Sequence, residues 1–506
     1  MLAQVHSFVL QGIEPIACEV EVDVSGAGLP ATMIVGLPDA AVKESIERVR
    51  SAIANSGYAF PLARVVINLA PADIRKEGPV FDLPIAIGLL AAEGAVSTRR
   101  HQGFLLAGEL SLDGRVRPIN GVINLACLAR ARAMEGIIVP VANAREAAAV
   151  GETKVYGVET LAEVVGFLNE RIAITPQAEV DVDAVLHAIE PEVDFADIRG
   201  QEAPKRAALV AAAGHHNLLM VGPAGTGKTL IAKAIAGILP ALSRSEAMEV
   251  TRIFSTVGLV PRDASLIETR PVRTPHHTAS GVAMIGGGSV PRPGEVTLAH
   301  RGILFLDEMP EFPRAVLETL RQPLEDGEVT IARAQGSVRY PARFMLVAAL
   351  NPTPGGNKPV DARGHREMDR YLSRISGPLI DRIDIHVEVP QVPFDRLQSP
   401  PERKTETKRL REAVVAARAR QHARHGTAIR PNAVLTTSEL DRFAPLEANS
   451  RRLIRQAMVE LGLSARAYDK IRRVARTIAD LEASEAVALQ HVAEAVQYRL
   501  LDRRRA

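Results

Sequence analysis

A chain of 506 residues is too long for one hydrophobic core, and at about 150 residues per domain it suggests three or so. Its 47% hydrophobic content argues against disorder, and its two cysteines exclude a cysteine-rich zinc or disulfide scaffold. A net charge of +2 says little about partners, whereas no tryptophan and 4% aromatic residues argue against stacking single-stranded bases on an aromatic platform, so a nucleic-acid contact would go mainly to phosphate. No run of about 18 apolar residues suits a membrane span, and the N-terminus lacks a signal-peptide pattern. A cytoplasmic protein with no membrane contact is the expectation. Basic residues crowd the end of the chain, at Arg403, Lys404, Lys408, Arg409, Arg411 and Arg503 to Arg505.

Residues 1–171 read as an α+β domain. Strands are expected at 16–24, 32–35 and 64–69, a helix capped by Asp39 at 40–55, and another helix at 81–93. The stretch 104–118 reads as a hairpin turning at Asp113 and Gly114. Two stretches, Lys76 to Val80 and Gly114 to Ile123, resemble the peptidase domain of Lon-type proteases. The resemblance places the nucleophilic serine at Val80 and its activating lysine at Ile123, and neither side chain can attack a carbonyl or take a proton. A peptidase fold without peptidase activity is therefore expected. Residues 172–193, rich in Asp, Glu, Pro and Val, read as a linker.

The next domain, 194–392, carries the strongest signal. Four apolar residues, Leu218 to Val221, run into Gly222, Pro223, Ala224, Gly225, Thr226, Gly227, Lys228 and Thr229, and then into a periodic helix. Backbone NH groups of such a loop point inward at phosphate oxygens, Lys228 reaches the β- and γ-phosphates, and the Thr229 hydroxyl suits Mg²⁺. ATP and Mg²⁺ are the expected cofactors. Ile303 to Leu306 end in Asp307 and Glu308, a buried strand delivering one carboxylate to Mg²⁺ and another to the attacking water.

Four further positions resemble AAA+ ATPases. Ile198, near the start of the domain, would make apolar contact with adenine, and Asn351, at the end of a core strand, would act as the first sensor. Arg382, within Ser376 to Asp384, resembles an arginine finger for the neighbouring subunit's site, with pairing to Asp381 or Asp384 as the bland alternative. Arg466 resembles the second sensor. Two insertions, one from Thr274 to Gly294 and a hairpin at 328–340 with Arg333 and Arg339 near its tip, resemble the pore-facing loops of the magnesium-chelatase and replicative-helicase branch. The two arginines suit DNA phosphates. The pair His276 and His277 has no evident metal-binding partners and reads as loop-ordering.

Residues 393–506 read as helices at 402–425, 438–443, 450–461, 465–481 and 485–501, an all-α lid. Together these motifs resemble the YifB/ComM family of magnesium-chelatase-like AAA+ ATPases over nearly the whole chain. The resemblance implies an α/β AAA+ P-loop core, an α+β Lon-protease-like N-terminal domain and an all-α C-terminal lid. It also implies a homo-hexameric ATPase that drives DNA branch migration in natural transformation. A protein-remodelling or magnesium-chelatase-type motor acting on a polypeptide partner is the alternative. Family members carry cysteines after the sensor asparagine; here Thr353 to Arg363 has none, so zinc is not expected.

Overall fold

The structure is a computed structural model that describes all residues except 27–28, 191, 289–290, 334–335, 354–365, 367, 369, 394–405, 427–429 and 500–506. The cysteine-free stretch after Thr353 and the basic residues Arg403, Lys404 and Arg503 to Arg505 lie outside the described residues. Two compact units emerge: Met1–Val185 with Ser243–Glu268, and Leu186–Leu242 with Thr269–Ala506. No helix among the described residues is long and apolar enough to cross a membrane.

The first unit is built on a seven-stranded mixed sheet. Its order is Ala31–Val35, Arg64–Ala70, Glu14–Ser25, Leu2–Gln11, Phe104–Leu106, Gly136–Pro140 and Val155–Val158. Side-chain alternation divides the apolar residues between two cores. Val5 and Val9, Phe104 and Leu106, and Ile138 join one, while Phe8, Leu105, Ile137 and Val139 join the other. The helix Ala40–Asn55 starts where Asp39 accepts the Val42 NH at 2.7 Å, and it buries Val42, Ile46, Val49 and Ile53 along one stripe.

The expected hairpin at 104–118 is corrected by this sheet. Phe104–Leu106 is fully buried and pairs in parallel with Gly136–Pro140, so only Glu109–Leu110 and Val116–Arg117 remain as hairpin arms. An all-apolar triplet satisfies both faces of a central strand, whereas a hairpin arm exposes one face.

The compact units also depart from linear domain boundaries. The helix Arg244–Thr256, which follows the P-loop helix in sequence, packs within the first unit. Its Arg252 donates to Asn124 Oδ1 at 2.7 Å and to Ile13 O at 3.1 Å, and Gly121 NH donates to Ser255 O at 3.0 Å. Ser255 hydrogen-bonds the buried Glu146. Met248 packs against the apolar core that holds Ile123 and takes in Val80. Thus Ile123 and Val80 meet in one apolar cluster, with a methionine against it.

The second unit carries a five-stranded, all-parallel sheet ordered Val272–Arg273, Ile303–Leu306, Met345–Leu350, Leu218–Val221 and Ile385–Glu388. The helices Glu202–Gly214 and Lys228–Ile238 share its core with the C-terminal helices Glu406–His425, Thr437–Phe443, Ala448–Leu461, Ala465–Leu481 and Leu489–Gln497.

A buried polar seam fixes the helix Ala465–Leu481 to the sheet. Lys470 Nζ lies 2.8 Å from Asp384, whose carboxylate also accepts the Asn217 NH at 3.1 Å. Burial would raise the Asp384 pKa, but the Lys470 charge, helped by His216 at 3.5 Å, outweighs it and holds the carboxyl well below its usual range. That contribution is complete above the free-Asp value of 3.8 and is lost as the pH falls toward the depressed value. Lys470→Ala strands this carboxylate in the interior, and an expected loss of about 3–5 kcal/mol would be read by urea unfolding near neutral pH.

Candidate functional site

The strand Leu218–Val221, between Met345–Leu350 and the edge strand Ile385–Glu388, delivers the glycine loop at the carboxyl edge of the parallel sheet, where the adjoining strands also end. Gly222 must be glycine: a Cβ there would stand 2.1 Å from the Val389 carbonyl oxygen. Gly225 and Gly227 have φ of +75° and +91°, and a Cβ at either would meet nothing within 4 Å. The loop therefore curls around open space, bounded below by the N-terminus of Lys228–Ile238.

Lys228 is buried, and its Nζ donates to Gly222 O and Pro223 O at 2.8 Å each and to Asn351 Oδ1 at 3.0 Å. Burial lowers its pKa, with Asp307 and Glu308 pulling in the opposite direction. Thr229 Oγ1 donates to Asp307 Oδ2 at 2.8 Å, while Asp307 Oδ1 accepts the Glu308 NH at 3.0 Å. Glu308 itself is exposed and holds φ +49°, a left-handed conformation uncommon outside glycine, which breaks the extended run of the preceding strand. Lys228, Thr229, Asp307 and Asn351 are thus brought together, with Glu308 beside them.

This donor set fits a magnesium nucleotide. The open cradle of NH groups and the Lys228 ammonium match phosphate oxygens, and the hydroxyl and carboxylate of Thr229 and Asp307 are the hard oxygen ligands that Mg²⁺ takes. Thr229 and Asp307 would hold the Mg²⁺, which would supply positive charge against the charge developing on the leaving phosphates.

Ile198 is 4% exposed and lies in the core with Phe195 and the helix Glu202–Gly214. Arg382 ion-pairs with Glu325, not with Asp381 or Asp384, and donates to Pro378 O at 2.7 Å. Arg466 faces the same Glu325 at 3.8 Å. Among the described residues neither arginine bonds Lys228, Thr229, Asp307 or Glu308. The arginines expected to sense nucleotide therefore gather at a second place on the unit.

The hairpin forms from Glu328–Arg333 and Gly336–Pro341, with Arg333 opposite Gly336 at the tip. Arg339 is three pairs further down, opposite Thr330, exposed and 4.0 Å from Glu328. Tyr340 reaches the preceding insertion, donating to Pro291 O at 2.7 Å, while Arg273 grips Glu295 through two bonds of 2.6 and 2.9 Å. The insertion and the hairpin are thus one packed feature. His276 and His277 stack at 4.1 Å, His276 bonds Thr278, and no cluster of metal-binding side chains occurs among the described residues.

Sequence reasoning missed three supporting residues. Gln201, at φ +62°, donates to Thr226 O at 3.1 Å and Pro390 O at 2.7 Å, tying the glycine loop to the end of the last strand. Asn217 accepts the Leu346 NH at 2.9 Å and donates to Arg382 O at 3.1 Å. Its position, a lone amide just before an apolar strand, was the only local signal. Glu325 gave none.

Three models built on magnesium chelatase subunit ChlI match, over residues 20–143, 194–397 and, for the C-terminal part, 404–499. The competence protein ComM of Haemophilus influenzae is 42% identical over 508 residues, covering 99% of this chain and 98% of its own. The uncharacterised protein YifB of Escherichia coli is 42% identical over 506 residues, with the same coverage. The 38 kDa magnesium-chelatase subunit of Rhodobacter capsulatus is 30% identical over 187 residues, which is 33% of this chain and 53% of that protein. With its parallel-sheet P-loop core, its helical C-terminal region and relatives spanning nearly its full length, the chain belongs to the YifB/ComM family of magnesium-chelatase-like AAA+ ATPases.

Proposed function

We propose that this chain is a cytoplasmic, ring-forming motor, a homo-hexamer, that hydrolyses ATP with Mg²⁺ to move DNA, in the manner of a branch-migration helicase of recombination and natural transformation. The observation that carries the hydrolytic part is the joining of Lys228 to Asn351 and of Thr229 to Asp307 across three strands of one sheet. Glu308 activates water, Asn351 reports the γ-phosphate, and Ile198 borders the adenine side. Arg382 and Arg466 serve the neighbouring subunit's nucleotide, a role supported by their gathering away from Lys228. The front unit is a Lon-like fold without peptidase chemistry, since Val80 and Ile123 offer only aliphatic carbon to their shared cluster.

DNA is favoured over a polypeptide or chelatase partner because one of the near-full-length relatives is named a competence protein, whereas the chelatase subunit matches a third of the chain. The test is unwinding of branched DNA by wild type, Lys228→Ala and Glu308→Gln. ATPase activity that ignores single strands, duplex and forks alike would sink the DNA reading.

The hairpin supplies the phosphate contacts in this reading. Reversing the charge of both Arg333 and Arg339 to glutamate is expected to lower the salt slope of DNA binding by about 2 and to weaken binding across sequences alike. Fluorescence anisotropy over a salt series measures it, and an unchanged slope would remove these arginines from the interface.

A further inference from the structure

Glu325 is the last acid but one of the short helix Arg321–Asp326, which stops at Gly327 and leads into the hairpin. Its Oε2 receives Arg382 and its Oε1 faces Arg466 at 3.8 Å, so one carboxylate stands between two guanidinium groups carried by different elements. Arg382 precedes the edge strand Ile385–Glu388, whereas Arg466 sits in the first turn of Ala465–Leu481. Left alone, two such cations repel; with an acid between them they can share one place. The Arg382 side chain is 13% exposed, held besides by Pro378 O, while Glu325 is 52% exposed. That exposure leaves the carboxylate able to yield to a stronger anion.

We infer that Glu325 is a positioning residue that clasps Arg382 and Arg466 together and presents both to the triphosphate of an adjoining subunit. This rests on the reading that the two arginines act on a neighbour. A nucleotide γ-phosphate has more charge and more acceptor oxygens than one carboxylate, so it displaces Glu325 from both guanidiniums without any change in covalent structure. The clasp keeps the arginines pre-arranged between turnovers. It thereby reduces the rearrangement needed when the neighbour binds ATP.

The test uses full-length chains and subunit mixing. Glu325→Gln keeps the shape and removes the charge; Glu325→Asp keeps the charge. Glu325→Gln is expected to lower the ATPase kcat by about tenfold or more with KM little changed, and Glu325→Asp to restore part of it. Equal mixing of Glu325→Gln with Glu308→Gln chains is then expected to exceed the mean of the two alone. In the mixed ring, intact Glu308 sites on the first chain meet well-held arginines on the second. A wild-type kcat in Glu325→Gln overturns the clasp. So does a mixture with no gain when an Arg382→Ala and Glu308→Gln mixture does gain. If the Arg382→Ala mixture fails as well, the shared-site reading falls and takes the clasp with it.

Discussion

Glu308→Gln is expected to stop turnover while leaving ATP bound. The carboxylate is exposed beside Asp307, and Asp307 alone carries the bond to Thr229. Glutamine has nearly the same volume, keeps the backbone NH that Asp307 accepts, and tolerates φ +49° about as well as glutamate. What it lacks is the ability to take a proton. General-base loss costs about 10²- to 10⁴-fold in rate, so kcat should drop by that factor. Binding of a fluorescent ATP analogue should stay within about threefold of wild type, because the Lys228 and Thr229 contacts are untouched. Steady-state ATPase and equilibrium titration together decide the matter. A variant that hydrolyses at the wild-type rate would remove Glu308 from the chemistry and direct the search for the base to another acid.

The same residues show what a sequence discloses and what it hides. The run Leu218–Val221, the glycines after it and the helix Lys228–Ile238 are local signals: four apolar residues suit a strand buried on both faces, and the periodicity then changes to a helical one. The helix Ala465–Leu481 was equally legible, since Ser464 caps it and its apolar residues recur at helical spacing. Other features depended on distant partners. Capping by Ser243 and Glu246 marks the start of Arg244–Thr256, yet nothing in that stretch tells which core it joins; Arg252 finds Asn124 across 128 positions. Glu325 reads as an ordinary helix-end acid because Arg382 lies 57 positions away. The turn at Asp113 and Gly114 was correct in kind, but turn chemistry says nothing about how long the arms are, and the sheet claimed Phe104–Leu106. Local chemistry thus specifies elements, whereas their assignment to a core waits on the packed chain.

Lys228→Ala should fail at an earlier step than Glu308→Gln. The ammonium is buried and shared among Gly222 O, Pro223 O and Asn351 Oδ1, all of which hold it in place beneath the open loop. When phosphate arrives, the charge is already aimed and desolvated, and the lowered pKa of the lysine reflects the burial that makes this possible. Hydrogen bonds to a charged group contribute about 1.5–3 kcal/mol each, so removing this one should weaken ATP binding by about 10- to 100-fold. Hydrolysis should fall to background, because on the proposed reading Lys228 is the cation set against the γ-phosphate beside Asp307 and Glu308. Alanine also leaves Asn351 without its tether, so the asparagine should lose its fixed orientation. The two variants therefore separate cleanly: Glu308→Gln retains nucleotide and Lys228→Ala does not. If Lys228→Ala bound ATP as wild type does, the glycine loop would not be the phosphate site, and a motor driven from it could not be maintained.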